Sequence, residues 1–275
     1  MAGTGFVTPY YNRFKYDGTI TNFLCYPVTR ALFGKDIRQP IGGDFALSIE
    51  LVKDILDSSL WELPDVSRFG IDIFETLTAL AKGYEVKQAL LGVKNHDAKD
   101  PSSQLASMFR QVMNTMFTCI EQYELVWKEK RGVSKISIFG DAKYEDTCET
   151  IEVSLPATIE AFKSKYHQYI DIYNSILEQN IQDKFLELHL IESSNIDFPS
   201  EIWAKTVYSF IAEFHKTPTF FRERLIDALR VLWIGRVAAF LKETWKMSRE
   251  ECEEKIIEEA IIFEKLKPYL IEKYY

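Results

Sequence analysis

The sequence predicts an α/β fold over residues 1–150 followed by a mostly helical domain over residues 151–275. Three observations point that way. Nine of the twelve glycines lie before residue 105, so tight turns concentrate in front. In that front part, strand-like apolar runs alternate with helical spacing. Beyond Pro156 the apolar residues keep helical periods to the end. The composition shift near residue 150 is the expected boundary.

Taken in order, Gly5 to Tyr10 reads as a strand arriving at a loop, and Asp17-Gly18 as a turn. Ile20, Phe23, Leu24, Val28 and Leu32 then keep helical spacing. Gly34 gives a stop to that helix, and Pro27 a kink. Ser48 is suited to cap a helix from Ile49 to about Asp57. After a loop at 65–69, a helix is predicted from near Gly70 to Ala81, ending at Gly83. Tyr84 to Val93 predicts a strand with Val86, Ala89, Leu91 and Val93 on one face, delivering Lys94, Asn95 and His96 to its end. Ser102 or Ser103 is the expected cap of an amphipathic helix from Leu105 to about Lys130. Ile136 and Ile138 predict a short strand in an acidic stretch. The later helices should break near Asn180, at 193–199, at Pro218 and at Met247. Ser248-Arg249-Glu250-Glu251 has the pattern of a capping box.

Composition excludes several function classes. The formal net charge is −8 and no long Lys/Arg run is present, which argues against nucleic-acid binding by phosphate neutralisation. The four cysteines, Cys25, Cys119, Cys148 and Cys252, make no C-x-x-C pair, so neither a zinc knuckle nor a redox motif is readable. Such sparse cysteines fit a reducing, cytoplasmic setting. The most apolar stretch, Val231 to Leu241, contains Arg236 and is too short for a membrane span. No Asp-rich runs of the kind prenyl-diphosphate chemistry needs are present.

Four segments carry candidate chemistry. Gly42-Gly43-Asp44 offers bare backbone to a ligand, with Asp44 accepting from hydroxyls; it also reads as a strand-to-helix connection with a solvated acid. Asp72 sits at a predicted helix start, where a carboxylate complements the dipole. Its apolar neighbours Phe69, Ile71, Ile73 and Phe74 would desolvate it toward use as a general base, with Glu75 as local competitor. His96 follows an apolar strand, the place where open α/β sheets bind ligands, and imidazole suits Mn²⁺. His167, His189 and His215 lie in helical runs and are assigned to structure. Residues 11–22 set Arg13 and Lys15 beside hydroxyls and an amide at a helix start. By spacing alone that arrangement reads first as a capped helix behind a solvated basic loop, and second as an anion site.

In order along the chain, Tyr16-Asp17-Gly18-Thr19-Ile20-Thr21-Asn22, Arg38-Gln39-Pro40-Ile41-Gly42-Gly43-Asp44-Phe45, Gly70-Ile71-Asp72-Ile73 and His96-Asp97-x-Lys99-Asp100-Pro101 resemble the second half of family 2-like glycosyltransferases. The nearest group is that of the glucosyl-3-phosphoglycerate and mannosylglycerate synthases. The resemblance covers roughly residues 5 to 115 and implies the acceptor half of a GT-A type fold. It implies transfer of a hexose from a nucleotide diphosphate sugar to a small hydroxyl acceptor, with Mg²⁺ or Mn²⁺ on the diphosphate. By the same resemblance, Asp72 and Asp44 serve the reacting centre. Gln39, Gly42 and Gly43 lie by the sugar, Thr19, Thr21 and Asn22 meet the acceptor's anionic end, and His96 binds the metal. Enzymes of this type place a nucleotide-binding half first, ending in Asp-x-Asp, and no such pattern precedes Tyr10. The expectation is a fragment of a longer enzyme, a separately encoded half or a degenerate relative. An exposed apolar sheet edge would pair it with a separate nucleotide-binding chain, or with a second copy of itself as a homo-oligomer. The alternative from another class is a non-catalytic helical interaction module derived from such an enzyme.

Overall fold

The computed structural model describes residues 4–94, 105–141, 153–190 and 196–275. These divide into two compact units. The first takes residues 4–94 and 111–141, the second 105–110, 153–190 and 196–275. The expected cap at Ser102 or Ser103 lies outside the described residues.

The first unit is α/β. Its four-stranded sheet has the order β2-β1-β3-β4, with β1 Thr4–Asn12, β2 Ala46–Leu47, β3 Glu85–Val93 and β4 Ile138–Phe139. β1 runs parallel to β3, and β3 to β4, while β2 is antiparallel to β1. The parallel register sets Asn12 opposite Val93, so the carboxyl ends of the two long strands lie side by side. The apolar face expected on β3 differs in the structure. Val86 and Gln88 are buried, whereas Leu91 is 46% exposed. The residues named for that face do not keep a period of two, and the register also slips where Tyr10 and Tyr11 face Leu90 and Gly92.

The helix expected over Thr19–Leu32 is present in two parts, a π-helical turn at Thr21–Cys25 and α1 at Tyr26–Phe33. Pro27 has no N–H to give the carbonyl four residues back, and the chain widens into an i→i+5 turn just before it. Gly34 closes α1 in the left-handed conformation. Ser48 caps α2 (Ile49–Leu56) by accepting from the Leu51 amide at 3.2 Å. α3 (Ile71–Ala81) buries Ile73, Phe74, Leu77 and Leu80. The single helix expected to Lys130 is divided at Tyr123 into α4 (Ala106–Gln122) and α5 (Glu124–Glu129). The Trp127 indole donates to the Ile120 carbonyl at 2.9 Å, the acceptor that an unbroken helix would offer to residue 124.

The second unit is helical: α6 Leu155–Tyr166, α7 Ile170–Ile176, α8 Gln179–Leu190, α9 Ser200–Lys216, α10 Thr219–Thr244, α11 Arg249–Lys265 and α12 Lys267–Tyr274. The breaks at Pro218 and Met247 fall between helices, and Ser248 with Glu251 forms the reciprocal capping box. An interruption at Leu266, just ahead of Pro268, was not anticipated. From Leu225 to Leu241, α10 is buried on nearly all sides. Its Arg236 is 2% exposed and pairs with Glu259 of α11 at 2.7 Å. No helix among the described residues is long and apolar enough to cross a membrane.

Candidate functional site

The expected acids meet at one turn of the first unit. After β1 the chain passes through α1 and returns along residues 38–45, and this return is pinned to the strand end. The Gln39 side chain donates to the Tyr11 carbonyl at 2.8 Å and accepts from the Tyr11 amide at 3.3 Å and from Arg13 Nε at 3.2 Å. On the other side, Thr76 of α3 donates to the Pro40 carbonyl at 2.7 Å. Asp72 lies one helical turn before Thr76, on the same face, and so points toward the next stretch of the turn. A Cβ placed on Gly43 would lie 3.7 Å from Asp72 Oδ2 and 3.9 Å from Lys94 Nζ.

Lys94 joins the pieces. Its ammonium donates to Asp44 Oδ2 at 3.0 Å and to the Gly42 carbonyl at 3.2 Å, and it stands 4.3 Å from the centre of the Tyr11 ring. The Tyr11 hydroxyl donates to the same Asp44 oxygen. Two glycines make this turn possible. Gly43 has φ +93°, a left-handed backbone that side chains resist. Gly42 packs so closely on the Pro9 ring that a methyl group there would collide with Cγ. Gly42→Ala is therefore expected to displace the turn and destabilise the protein by about 1–3 kcal/mol, measured by chemical denaturation.

The two acids live in different surroundings. Asp44 is 62% exposed, and its hydrogen bonds from Tyr11 and then Lys94 hold its carboxyl below the usual range. Those bonds leave its exposed side open to a ligand hydroxyl. Asp72 is half-buried, with no hydrogen bond among the described residues. Burial pushes it up to about 6, against the pull of Lys94, while Asp44 adds to the rise. Glu75 goes up to about 7, by burial and then by Asp72. Burial and the Asp44 contacts likewise raise the Tyr11 phenol to about 12. A carboxylate poised near neutrality beside an exposed, ionised one can take a proton while its neighbour accepts hydroxyls.

The remaining expected residues fall into four groups. Gly42 and Gly43 lie at the centre. Gln39, 4% exposed, holds the strand end with both ends of its amide. Thr19, Thr21 and Asn22 are each no more than 5% exposed. The Asn22 amide is engaged with the Asp17 carbonyl at 3.0 Å and with Arg38 at 2.9 Å. His96 lies outside the described residues. The sequence places Lys94 at the end of its strand and Tyr11 in the basic cluster, but assigns neither a role at the acids. The readable signal was position alone, since both stand at the carboxyl ends of neighbouring parallel strands.

Among the described residues no group of three or more His, Cys, Asp or Glu is placed to hold a metal ion. Asp44 and Asp72 have the Lys94 ammonium beside them, and an ammonium competes with a divalent cation for the same oxygens. The described residues alone therefore do not fit a metal centre. No protein-family model matches the chain, and no curated protein matches it.

Proposed function

We propose that the first unit is the acceptor half of a GT-A type glycosyltransferase, moving a hexose from a nucleotide diphosphate sugar to a small hydroxyl acceptor. One observation carries the reading: Asp44, Asp72 and Lys94, widely separated in sequence, converge on the Gly42–Gly43 backbone at the carboxyl ends of β1 and β3. On this reading the bare backbone and Asp44 hold the sugar hydroxyls. Asp72 takes the proton from the acceptor hydroxyl as its oxygen bonds to the anomeric carbon and the bond from that carbon to the diphosphate breaks. A divalent ion on the diphosphate, with His96 as its protein ligand, belongs to the same proposal, and no step above depends on it.

The partner belongs here too. β4 forms one edge of the sheet among the described residues, with Ile138 and Phe139 about half exposed. A separate nucleotide-binding chain, or a second copy, is proposed at such an edge. The buried thiols Cys25, Cys119 and Cys252 are in keeping with a cytoplasmic setting.

Calorimetric titration of the chain with nucleotide diphosphate sugars, with and without Mn²⁺, tests the proposal. Saturable binding that weakens in Asp44→Ala is expected, and absence of binding to any such donor, alone or with the partner chain, removes it. His96→Ala is expected to abolish the Mn²⁺-dependent part of transfer. Full retention takes His96 out of the metal shell.

A further inference from the structure

We infer that Lys94 is a positioning residue, which ties the Gly42–Asp44 turn to the end of β3 and supplies the positive charge that Asp72 faces. The functional meaning rests on the transferase reading, while the geometry stands without it. The ammonium reaches three parts of the site at once. It bonds Asp44 and the Gly42 carbonyl, and both it and Asp72 Oδ2 come within 4 Å of the place a Gly43 Cβ would take. Lys94 directly follows the last residue of β3, and its ammonium stands over the Tyr11 ring of β1, so the sheet sets where it reaches.

The groups around Asp72 give Lys94 its weight. Asp44 faces it from the turn, Arg13 from the end of β1, Glu75 from α3 itself and the Cys25 thiol from the π-helical turn. The Cys25 thiol is pushed up by burial and then by Asp72, and stays neutral. Asp44 opposes the ionisation of Asp72 and burial opposes it more, while Lys94 is the leading influence in its favour, ahead of Arg13. Without Lys94, the Asp72 midpoint would move up into the neutral range, and fewer molecules would carry it ionised and ready to take a proton. The turn would also lose its link to β3.

The test follows the Asp72 carboxyl carbon by ¹³C NMR titration in the full chain, with no donor or acceptor present. Wild type is expected to titrate near 6. In Lys94→Met the midpoint should rise by on the order of one unit, and Lys94→Arg should return it toward wild type. Lys94→Gln can still donate to the Gly42 carbonyl while losing the charge, and it serves if the Met variant does not fold. Arg13→Met is expected to produce the smaller rise. A midpoint unmoved in a folded, uncharged variant overturns the inference, as does a larger rise in Arg13→Met. Because no substrate enters, that failure leaves the transferase reading standing, and failure of donor binding leaves the role of Lys94 standing.

Discussion

Under the proposed transferase role, replacing Asp72 with asparagine is expected to lower hexosyl transfer by about 10²–10⁴-fold, the usual contribution of a positioned general base. The substitution keeps size and shape and removes only the capacity to take a proton. In the wild type, activity should rise with pH through about 6, because the carboxylate, and not the acid, is the working form. Glu75, pushed up to about 7, is coupled to it, so the profile will show two steps that belong to the pair. Rate profiles of Asp72→Asn and Glu75→Gln separate the two. Full activity in Asp72→Asn together with loss in Glu75→Gln would move the base one turn along α3.

The same substitution carries a stability consequence of opposite sign. Asp72 is raised to about 6 in the folded state from 3.8, so the folded chain binds a proton that the unfolded chain has released across that window. Stability therefore falls as pH rises from about 4 to about 6, and stays lowered above it. Asp72→Asn is expected to melt higher than wild type at pH 8 and to match it near pH 4. Loss of activity with a gain in stability would mark a group held in an unfavourable setting for function. Thermal melts at the two pH values check this, and equal melting at pH 8 would show that burial does not strain Asp72.

The largest stability effect is expected in the helical unit, from Arg236→Met. Arg236 and Glu259 are 2% and 1% exposed, and they meet through Nη2 at 2.7 Å and Nε at 2.8 Å. Nη1 reaches Glu243 at 3.0 Å, and Nη2 also lies 3.3 Å from Ser200 Oγ. Burial pushes the Glu259 carboxyl up, with Arg236 and then Ser200 holding against it. Removing the guanidinium leaves a buried carboxylate with the Ser200 hydroxyl, at 2.7 Å, as its remaining donor among the described residues. A loss of about 3–5 kcal/mol is expected from urea denaturation. Arg236→Met combined with Glu259→Leu should recover much of it, because the cost comes from the stranded charge and not from the lost attraction. A double variant no better than the single one would argue that the pair itself is a net source of stability.

Arg236 also shows where reading the chain stops. In the sequence it is a charge interrupting Val231 to Leu241. Only its position facing Glu259, 23 residues away on the next helix, makes it part of a core. Gln39 and Asn22 are similar. Their amides suggested ligand contacts, yet both are occupied by the protein's own backbone and by Arg13 and Arg38. An amide at the right distance in sequence looks the same whether it will meet a sugar or a strand end. Asp44 and Asp72 could be picked out because each stands beside a local cue, a pair of glycines in one case and an apolar helix start in the other.

By itself the sequence determined the local decisions: the two strand runs read at 5–10 and 84–93 and found at 4–12 and 85–93, the caps at Ser48 and Ser248, and the stops at Gly34 and Pro218. These depend on interactions within a few residues, so neighbours in the chain are enough to specify them. The tertiary structure alone decided that Lys94 would stand against Asp44, 50 residues before it, with Asp72 beside both. That meeting follows from the parallel register of β1 with β3 and from α3 docking through Thr76 on Pro40. Long-range pairing of this kind is set by which surfaces bury together, and no local spacing encodes it.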